Sequence, residues 1–129
     1  MSLAHFTIAT RNVDETTAFF LDLMGWDEIP TPDNVEVKVR WLDLEAGAQL
    51  HVLEVAEFEV SPFEKEYGRH FAFFVSAERL AEIRKKLPRD YGLEVLEPLR
   101  PTPFERFFFH DLNGYLIEVI DQDNWKVEA

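Results

Sequence analysis

The sequence predicts an α+β fold made of two similar halves, and three observations predict it. His5 opens an apolar, strand-like segment near the start of the chain, and His70 opens a second one about half the chain length later. A helical pattern and then further strand-like segments follow each of them. Each half also closes on a strand with another metal-binding side chain, His51 or Glu118. We therefore expect the order strand, helix, three strands, repeated once.

In the first half, the opening strand is followed by a predicted helix over about residues 14–24. Asn12 or Asp14 can cap its N-terminus, and Gly25 ends it. Between 35 and 41, valine and tryptophan alternate with charged residues, which is typical of a half-buried strand. The strands predicted after the helix are 26–29, 35–44 and 48–55.

The second half repeats this order after a glutamate-rich segment, which we expect to be a solvated connector. Ser76 is the predicted N-cap of the helix of this half, and Pro88 and Gly92 are predicted to end the helix. One side of the helix carries an apolar stripe. That stripe consists of Leu80, Ile83 and Leu87. The strands predicted after it are 93–96, 104–110 and the strand of Glu118. With 129 residues, the chain is one domain, divided into module 1 (1–55), connector (56–69) and module 2 (70–123).

Composition limits the classes of function. A net charge of −12 argues against a nucleic acid partner, because phosphate backbones are bound by basic surfaces. Cysteine is absent, so any metal ion must be bound by imidazole and carboxylate groups. The sequence has no export signal pattern and no apolar run long enough to span a membrane. We therefore expect a cytoplasmic protein without a membrane partner.

Strand parity predicts a metal site. Side chains alternate between the two faces of a strand, so His5 and His70 point away from the apolar residues beside them. The same holds for His51 and Glu118. If the apolar sets pack under the helices, all four side chains share the helix-free face of a concave sheet. A single histidine in a strand is most often hydrogen-bonded or exposed, but matched positions in both halves favour metal binding.

Other side chains are candidates for contacts with a substrate. Arg40 and Arg106 could supply positive charge for an anionic molecule, although exposed arginines without such a role are common. Trp41, Phe74 and Phe108 could form the wall of an apolar pocket, although aromatic residues in strands usually pack in the core. We expect the substrate to be a small molecule.

Three segments resemble the vicinal oxygen chelate superfamily, which includes glyoxalase I, extradiol dioxygenases and bleomycin-resistance proteins. They are His5–Ile8 with Asn12–Asp14, Phe20–Trp26, and Phe109–Glu118. The resemblance implies two βαβββ modules that form a curved mixed sheet, or cup, with helices on its convex face. It also implies that each cup binds one divalent metal ion, which could be zinc, nickel, manganese or iron. The implied ligands are His5, His70 and Glu118, with His51 at an optional fourth position.

Several reaction classes agree with such a site. A lyase or isomerase would bind two substrate oxygens at open coordination positions of the metal ion. Glu118 is the first candidate for the residue that moves a proton, and His51 is the second. With iron(II) on His5, His70 and Glu118 alone, a ring-cleaving dioxygenase is the alternative. A non-catalytic protein that binds drugs or aromatic ligands, of bleomycin-resistance type, is the third. Exposed edge strands favour a homodimer, and the cup could close within one chain or across two.

Overall fold

The computed structural model describes residues 1–126. These residues form two helices and seven strands, and the α+β class is confirmed. The elements in chain order are β1 (His5–Thr10), α1 (Val13–Met24), β2 (Asp27–Ile29), β3 (Val39–Asp43), β4 (Gln49–Glu54), β5 (Phe71–Val75), α2 (Ala77–Tyr91), β6 (Arg106–His110) and β7 (Leu116–Asp121). The chain divides into two compact units between Glu59 and Val60, here called the first and second unit. No helix among the described residues is long and apolar enough to cross a membrane.

The first unit is a four-stranded sheet with α1 on one face. The strand order is β1-β4-β3-β2, with β1 parallel to β4 and the other pairs antiparallel. Helix α1 packs against β3 and β4 and buries Phe19, Phe20 and Leu23. Leu42 and Leu50, which lie opposite each other on β3 and β4, are also fully buried. The opposite face of this sheet therefore carries no helix of the first unit.

Helix α1 has the predicted ends. The Asn12 side chain accepts a hydrogen bond from the backbone N–H of Glu15, which satisfies one of the free donors of the first turn. Gly25 has a φ of 71°, in the left-handed region where glycine carries no steric cost, and its N–H bonds to the carbonyl of Leu21. Both caps and the helix between them are confirmed.

The second unit is a three-stranded sheet with the order β5-β7-β6. Strand β5 is parallel to β7, and β6 is antiparallel to it. The predicted stripe of Leu80, Ile83 and Leu87 is the buried face of α2, and Ser76 is its N-cap. Pro88 does not end this helix, which continues to Tyr91. The end comes at Gly92, whose left-handed backbone lets its N–H reach the carbonyl of Leu87.

Two predicted strands differ most from the structure. Strand β3 begins at Val39 rather than at residue 35, and Val37 is largely exposed, so the alternation before residue 39 marks no buried face. Segment 93–96 forms no strand. Only Leu96 pairs with β6, through two backbone hydrogen bonds with Phe108 of 2.8 and 2.9 Å. Pro98, two residues after Leu96, has no N–H with which to extend a ladder.

Candidate functional site

On the helix-free face of the first unit, three aromatic rings form a stack. His51 lies between His5 and Trp41, with ring centroids 4.2 and 4.1 Å away and interplanar angles of 14° and 3°. Strand register produces the stack, because Trp41 lies directly opposite His51 and β1 runs alongside β4. Two of the four predicted metal-binding side chains are thus brought together, beside one predicted pocket residue.

His51 is buried and has a defined hydrogen-bond partner. Its Nε2 lies 2.9 Å from Oε1 of Gln49. Because a carboxamide oxygen only accepts, we assign the ring hydrogen to Nε2, which leaves the lone pair on Nδ1. Burial lowers the pKa of His51, and the nearby His5 lowers it further. His51 is therefore a neutral imidazole at neutral pH.

On the helix-free face of the second unit, the Glu118 carboxylate has a different neighbour at each oxygen. Oε1 lies 3.2 Å from Nε2 of His70, and Oε2 accepts a hydrogen bond of 3.0 Å from Nη1 of Arg106. Arg106 and Glu118 are only 5% and 7% exposed. Nη2 of Arg106 donates to the carbonyl of Arg100 at 2.6 Å. A buried ion pair therefore fixes the carboxylate, and its free oxygen faces the His70 imidazole.

His70 and Glu118 together offer two donor groups of the kind that bind a metal ion. A ring nitrogen and a carboxylate oxygen both carry lone pairs, so a proton or a metal ion between them satisfies both. In the part of the chain that the structure describes, His70 Nδ1 is buried without a hydrogen-bond partner. Among residues 1–126, no group of three or more His, Asp or Glu side chains is arranged to hold a metal ion. The predicted ligands thus form two pairs, His5 with His51 and His70 with Glu118.

One residue of the connector contributes to this site, so the expectation of a solvated connector does not hold at Glu66, which is partly buried. The Glu66 carboxylate accepts hydrogen bonds of 2.8 and 3.2 Å from the backbone N–H groups of Leu99 and Arg100. It also lies 3.9 Å from Nη2 of Arg106. Burial alone would raise the pKa of Glu66, but these N–H groups hold it below its usual value. The physical reason is that Glu66 balances a buried cation.

Arg40 lies on the wrong face for the predicted contact with a substrate. Its side chain bonds to Glu28 at 2.8 Å and to Asp14 of α1 at 3.2 Å. Trp41 and His51 point to the opposite side of the sheet, because neighbouring residues on a strand alternate. Arg40 therefore stabilises the helix-bearing face, and we withdraw it as a substrate-binding residue.

The remaining pocket candidates lie on the helix-free face of the second unit. Phe108 is opposite Glu118 on the neighbouring strand, and its ring makes an edge contact with His70 at 5.4 Å. Phe74 is half-exposed and packs edge-on against Trp125 at 5.2 Å. Arg106 is engaged by Glu118, so its charge orients this carboxylate rather than being free for an anionic substrate.

Two participants were missed by sequence reasoning. Gln49 carried a usable signal, since it lies two residues before His51 on the same strand and must therefore share its face. Glu66 carried none, because it lies in an irregular segment and meets Arg106 only through tertiary structure.

Taken together, the fold and the site define the class of protein: repeated strand–helix–strand units with nitrogen and oxygen donors on the helix-free faces of their sheets. The chain belongs to the Glyoxalase/Bleomycin resistance protein/Dioxygenase superfamily, whose family model matches residues 2–119. The superfamily that the sequence resembles is thereby confirmed.

Individual relatives cover almost the whole chain. Glyoxylase I 4 of Arabidopsis thaliana is 27% identical over 132 residues, which span 98% of this chain and 74% of the plant protein. A variant of FosX, the fosfomycin resistance protein of Listeria monocytogenes, is 25% identical with a TM-score of 0.70, covering 93% of this chain and 91% of FosX. Its structure contains Mn(II) and 1S,2S-dihydroxypropylphosphonic acid. The oxidase ChaP-H2 is 21% identical with a TM-score of 0.72, covering 95% and 94% of the two chains, and shows the fold alone.

Proposed function

We propose that this chain is a divalent-metal-dependent enzyme of lyase or isomerase type. Its substrate would be a small organic molecule that presents two adjacent oxygens to the metal ion. The observation that carries this proposal is the Glu118 carboxylate, held by buried Arg106 at one oxygen and facing His70 with the other. A carboxylate fixed in this way is suited to bind a cation, because its second partner sets the orientation of the free oxygen.

The ligands would be His5, His70 and Glu118, with His51 as a fourth. Imidazole and carboxylate donors suit zinc, nickel, manganese and iron(II), and the chain offers no thiolate that would select a softer ion. When bound, a divalent ion would polarise two chelated oxygens and acidify a neighbouring C–H bond. The FosX complex with Mn(II) supports a divalent ion in this superfamily.

The residues of the chain would then orient the substrate and move a proton. His51 would be a base only when it is not bound to the metal ion, because Gln49 accepts its Nε2–H and Nδ1 then carries the one lone pair of a ring whose pKa burial lowers. The Glu118 carboxylate is the other candidate proton acceptor, provided that it leaves the metal ion. Trp41 and Phe108 flank the two donor pairs with apolar surface that would keep water from the reacting carbon.

Metal analysis followed by a reaction screen tests this proposal. Protein purified without added ions should contain about one divalent ion per site. It should convert substrates with adjacent oxygens, such as α-hydroxy ketones or 2-keto acids, when loaded with zinc, nickel or manganese in the absence of oxygen. Metal-free protein that gains no activity with any ion contradicts an enzymatic role, and ligand binding without metal would instead favour the drug-binding class.

One observation favours a second candidate, the iron(II) ring-cleaving dioxygenase. The hydrogen bond from His51 to Gln49 occupies Nε2 of His51. If His51 stays off the metal ion, the remaining His5, His70 and Glu118 form a set of two histidines and one carboxylate, which leaves positions for substrate and dioxygen. Activity on catechol-like rings that requires iron(II) and consumes oxygen stoichiometrically would decide for this candidate.

A further inference from the structure

Glu66, in the segment between β4 and β5, contacts the same buried arginine that holds the carboxylate of Glu118. We propose that Glu66 is a positioning residue, which acts through Arg106 to fix the orientation and the effective charge of the Glu118 carboxylate. The inference rests on the proposed metal-binding role of Glu118, and it adds to that site a residue that touches neither the ion nor the substrate.

Glu66 reaches Arg106 along two routes. Its carboxylate lies 3.9 Å from Nη2 of Arg106. It also accepts hydrogen bonds of 2.8 and 3.2 Å from the backbone N–H groups of Leu99 and Arg100. The carbonyl of Arg100 in turn accepts a 2.6 Å hydrogen bond from the same Nη2. Glu66 therefore fixes both the charge beside this nitrogen and the carbonyl to which the nitrogen donates.

The orientation of the Arg106 guanidinium depends on these contacts. Nη1 donates to Oε2 of Glu118 at 3.0 Å, whereas Nε is buried without a hydrogen-bond partner within residues 1–126. The contacts at Nη2 therefore complete the hold on the guanidinium. Because Nη1 binds Oε2, its position also decides where Oε1 points, and Oε1 lies 3.2 Å from Nε2 of His70. Glu66 thus helps to keep two proposed metal ligands side by side.

Glu66 also sets the net charge of this cluster. Arg106 carries a positive charge that would cancel the negative charge of Glu118, and a neutral pair attracts a cation less strongly than a free carboxylate does. A second carboxylate beside Arg106 leaves the three side chains with a net negative charge. Water screens these charges little, because the exposed fractions of the side chains are 4% for Arg106, 9% for Glu118 and 12% for Glu66.

Titration of the metal-stripped protein with Mn(II) tests the inference, with free Mn(II) measured by electron paramagnetic resonance. Glu66→Gln keeps the length of the side chain but removes its charge and one acceptor oxygen. We expect it to weaken Mn(II) binding about threefold to tenfold, since loss of a direct partner of a metal ligand costs roughly tenfold to 100-fold. A role in stability alone would lower the urea midpoint without changing the Kd of the folded protein.

Glu105→Gln is the matched control. It removes the same charge from the residue next to Arg106, but the Glu105 carboxylate is exposed and pairs with Arg84 at 3.0 Å. The Mn(II) affinity of this variant should stay within about twofold of the wild type, because exposed pairs contribute little. In an Arg106→Met background, Glu66→Gln should likewise change the affinity less than about twofold, because the effect of Glu66 passes through Arg106.

NMR of the metal-free protein follows Arg106 directly and needs neither a bound ion nor a folded double variant. The Nη1 and Nη2 groups should give separate signals in the wild type, because their hydrogen bonds hinder rotation about the bonds from Cζ to these nitrogens. Glu66→Gln should broaden or merge the signals, while Glu105→Gln should preserve them.

Three results would overturn the inference. These are wild-type Mn(II) affinity in Glu66→Gln, unchanged Arg106 signals in this variant, and an equal loss of affinity with and without Arg106. A wild-type protein that binds no divalent ion would contradict the proposed function instead. The Arg106 signals alone would then decide whether Glu66 holds Arg106 against Glu118.

Discussion

Arg106 donates a 3.0 Å hydrogen bond to one oxygen of Glu118, while the other oxygen of this carboxylate lies 3.2 Å from His70. The pair is buried, so neither charge is compensated by water. It links strand β6 to β7 from within the sheet and fixes a side chain that we propose as a metal ligand. The following predictions begin with this relationship.

Arg106→Met should destabilise the protein by about 3–5 kcal/mol, because it leaves the buried Glu118 carboxylate without its cation. Urea unfolding of the metal-free protein measures this change. The double variant Arg106→Met with Glu118→Gln should lose less stability than Arg106→Met alone, since no uncompensated charge remains. Equal losses in the single and the double variant would show that the pair does not account for the effect.

Three substitutions should each weaken metal binding strongly: His5→Ala, His70→Ala and Glu118→Ala. Loss of a residue that only hydrogen-bonds to a metal ligand typically costs roughly tenfold to 100-fold in metal affinity, and loss of a ligand itself should cost more. Metal content after dialysis and competition with a chelator measure the change. His51→Ala should weaken binding less if His51 is an optional fourth ligand. His110→Ala is the control, because His110 is the one histidine outside both pairs. Wild-type metal content in the three ligand variants would refute the proposed site.

We predict a homodimer, because β1 and β5 are edge strands of their sheets and such edges are commonly covered by pairing. Light scattering coupled to size-exclusion chromatography at micromolar concentration should give twice the chain mass of 15.1 kDa. A strictly monomeric profile would contradict this expectation. Coexpression of His5→Ala chains with Glu118→Ala chains then tests whether one chain or two supply the ligands of a site. If two chains supply them, the mixed dimer contains one site with intact ligands and binds metal. If one chain supplies them, both sites of the mixed dimer lack a ligand.

Glu28 should stabilise the protein at neutral pH and lose this effect in acid. The hydrogen bond from Arg40 lowers the pKa of Glu28, so the folded state favours the ionised carboxylate. This contribution is present above the ordinary glutamate pKa of about 4.3 and disappears as the pH falls through the lowered value.

The comparison of Glu28→Gln with the wild type by urea unfolding measures this contribution. The variant should be less stable by at most about 1 kcal/mol near pH 6, since both side chains are partly exposed, and the difference should shrink as the pH falls below about 4.3. Glu94→Gln, which removes the charge of an exposed glutamate, is the control variant. A difference that persists in acid would rule out ionisation of Glu28 as its cause.

Local pattern determined much of the fold from the sequence by itself. The polar side chain of Asn12, the glycines after both helices and the stripe of Leu80, Ile83 and Leu87 act through neighbours within one or two turns. The sequence predicts them for that reason. Strand parity likewise placed His51 and Glu118 on the faces opposite their apolar neighbours, because alternation is a property of the strand alone.

Tertiary structure alone decided which partner each polar side chain meets. Arg40 and Arg106 are the same residue type in the same kind of element, yet one pairs with Glu28 on a helix-bearing face and the other holds Glu118. The ring stack of His51 with Trp41 and the burial of Glu66 also depend on strand order and loop path. Electrostatic and packing contacts between residues far apart in the chain leave no periodic trace in the sequence, so only the folded chain determines them.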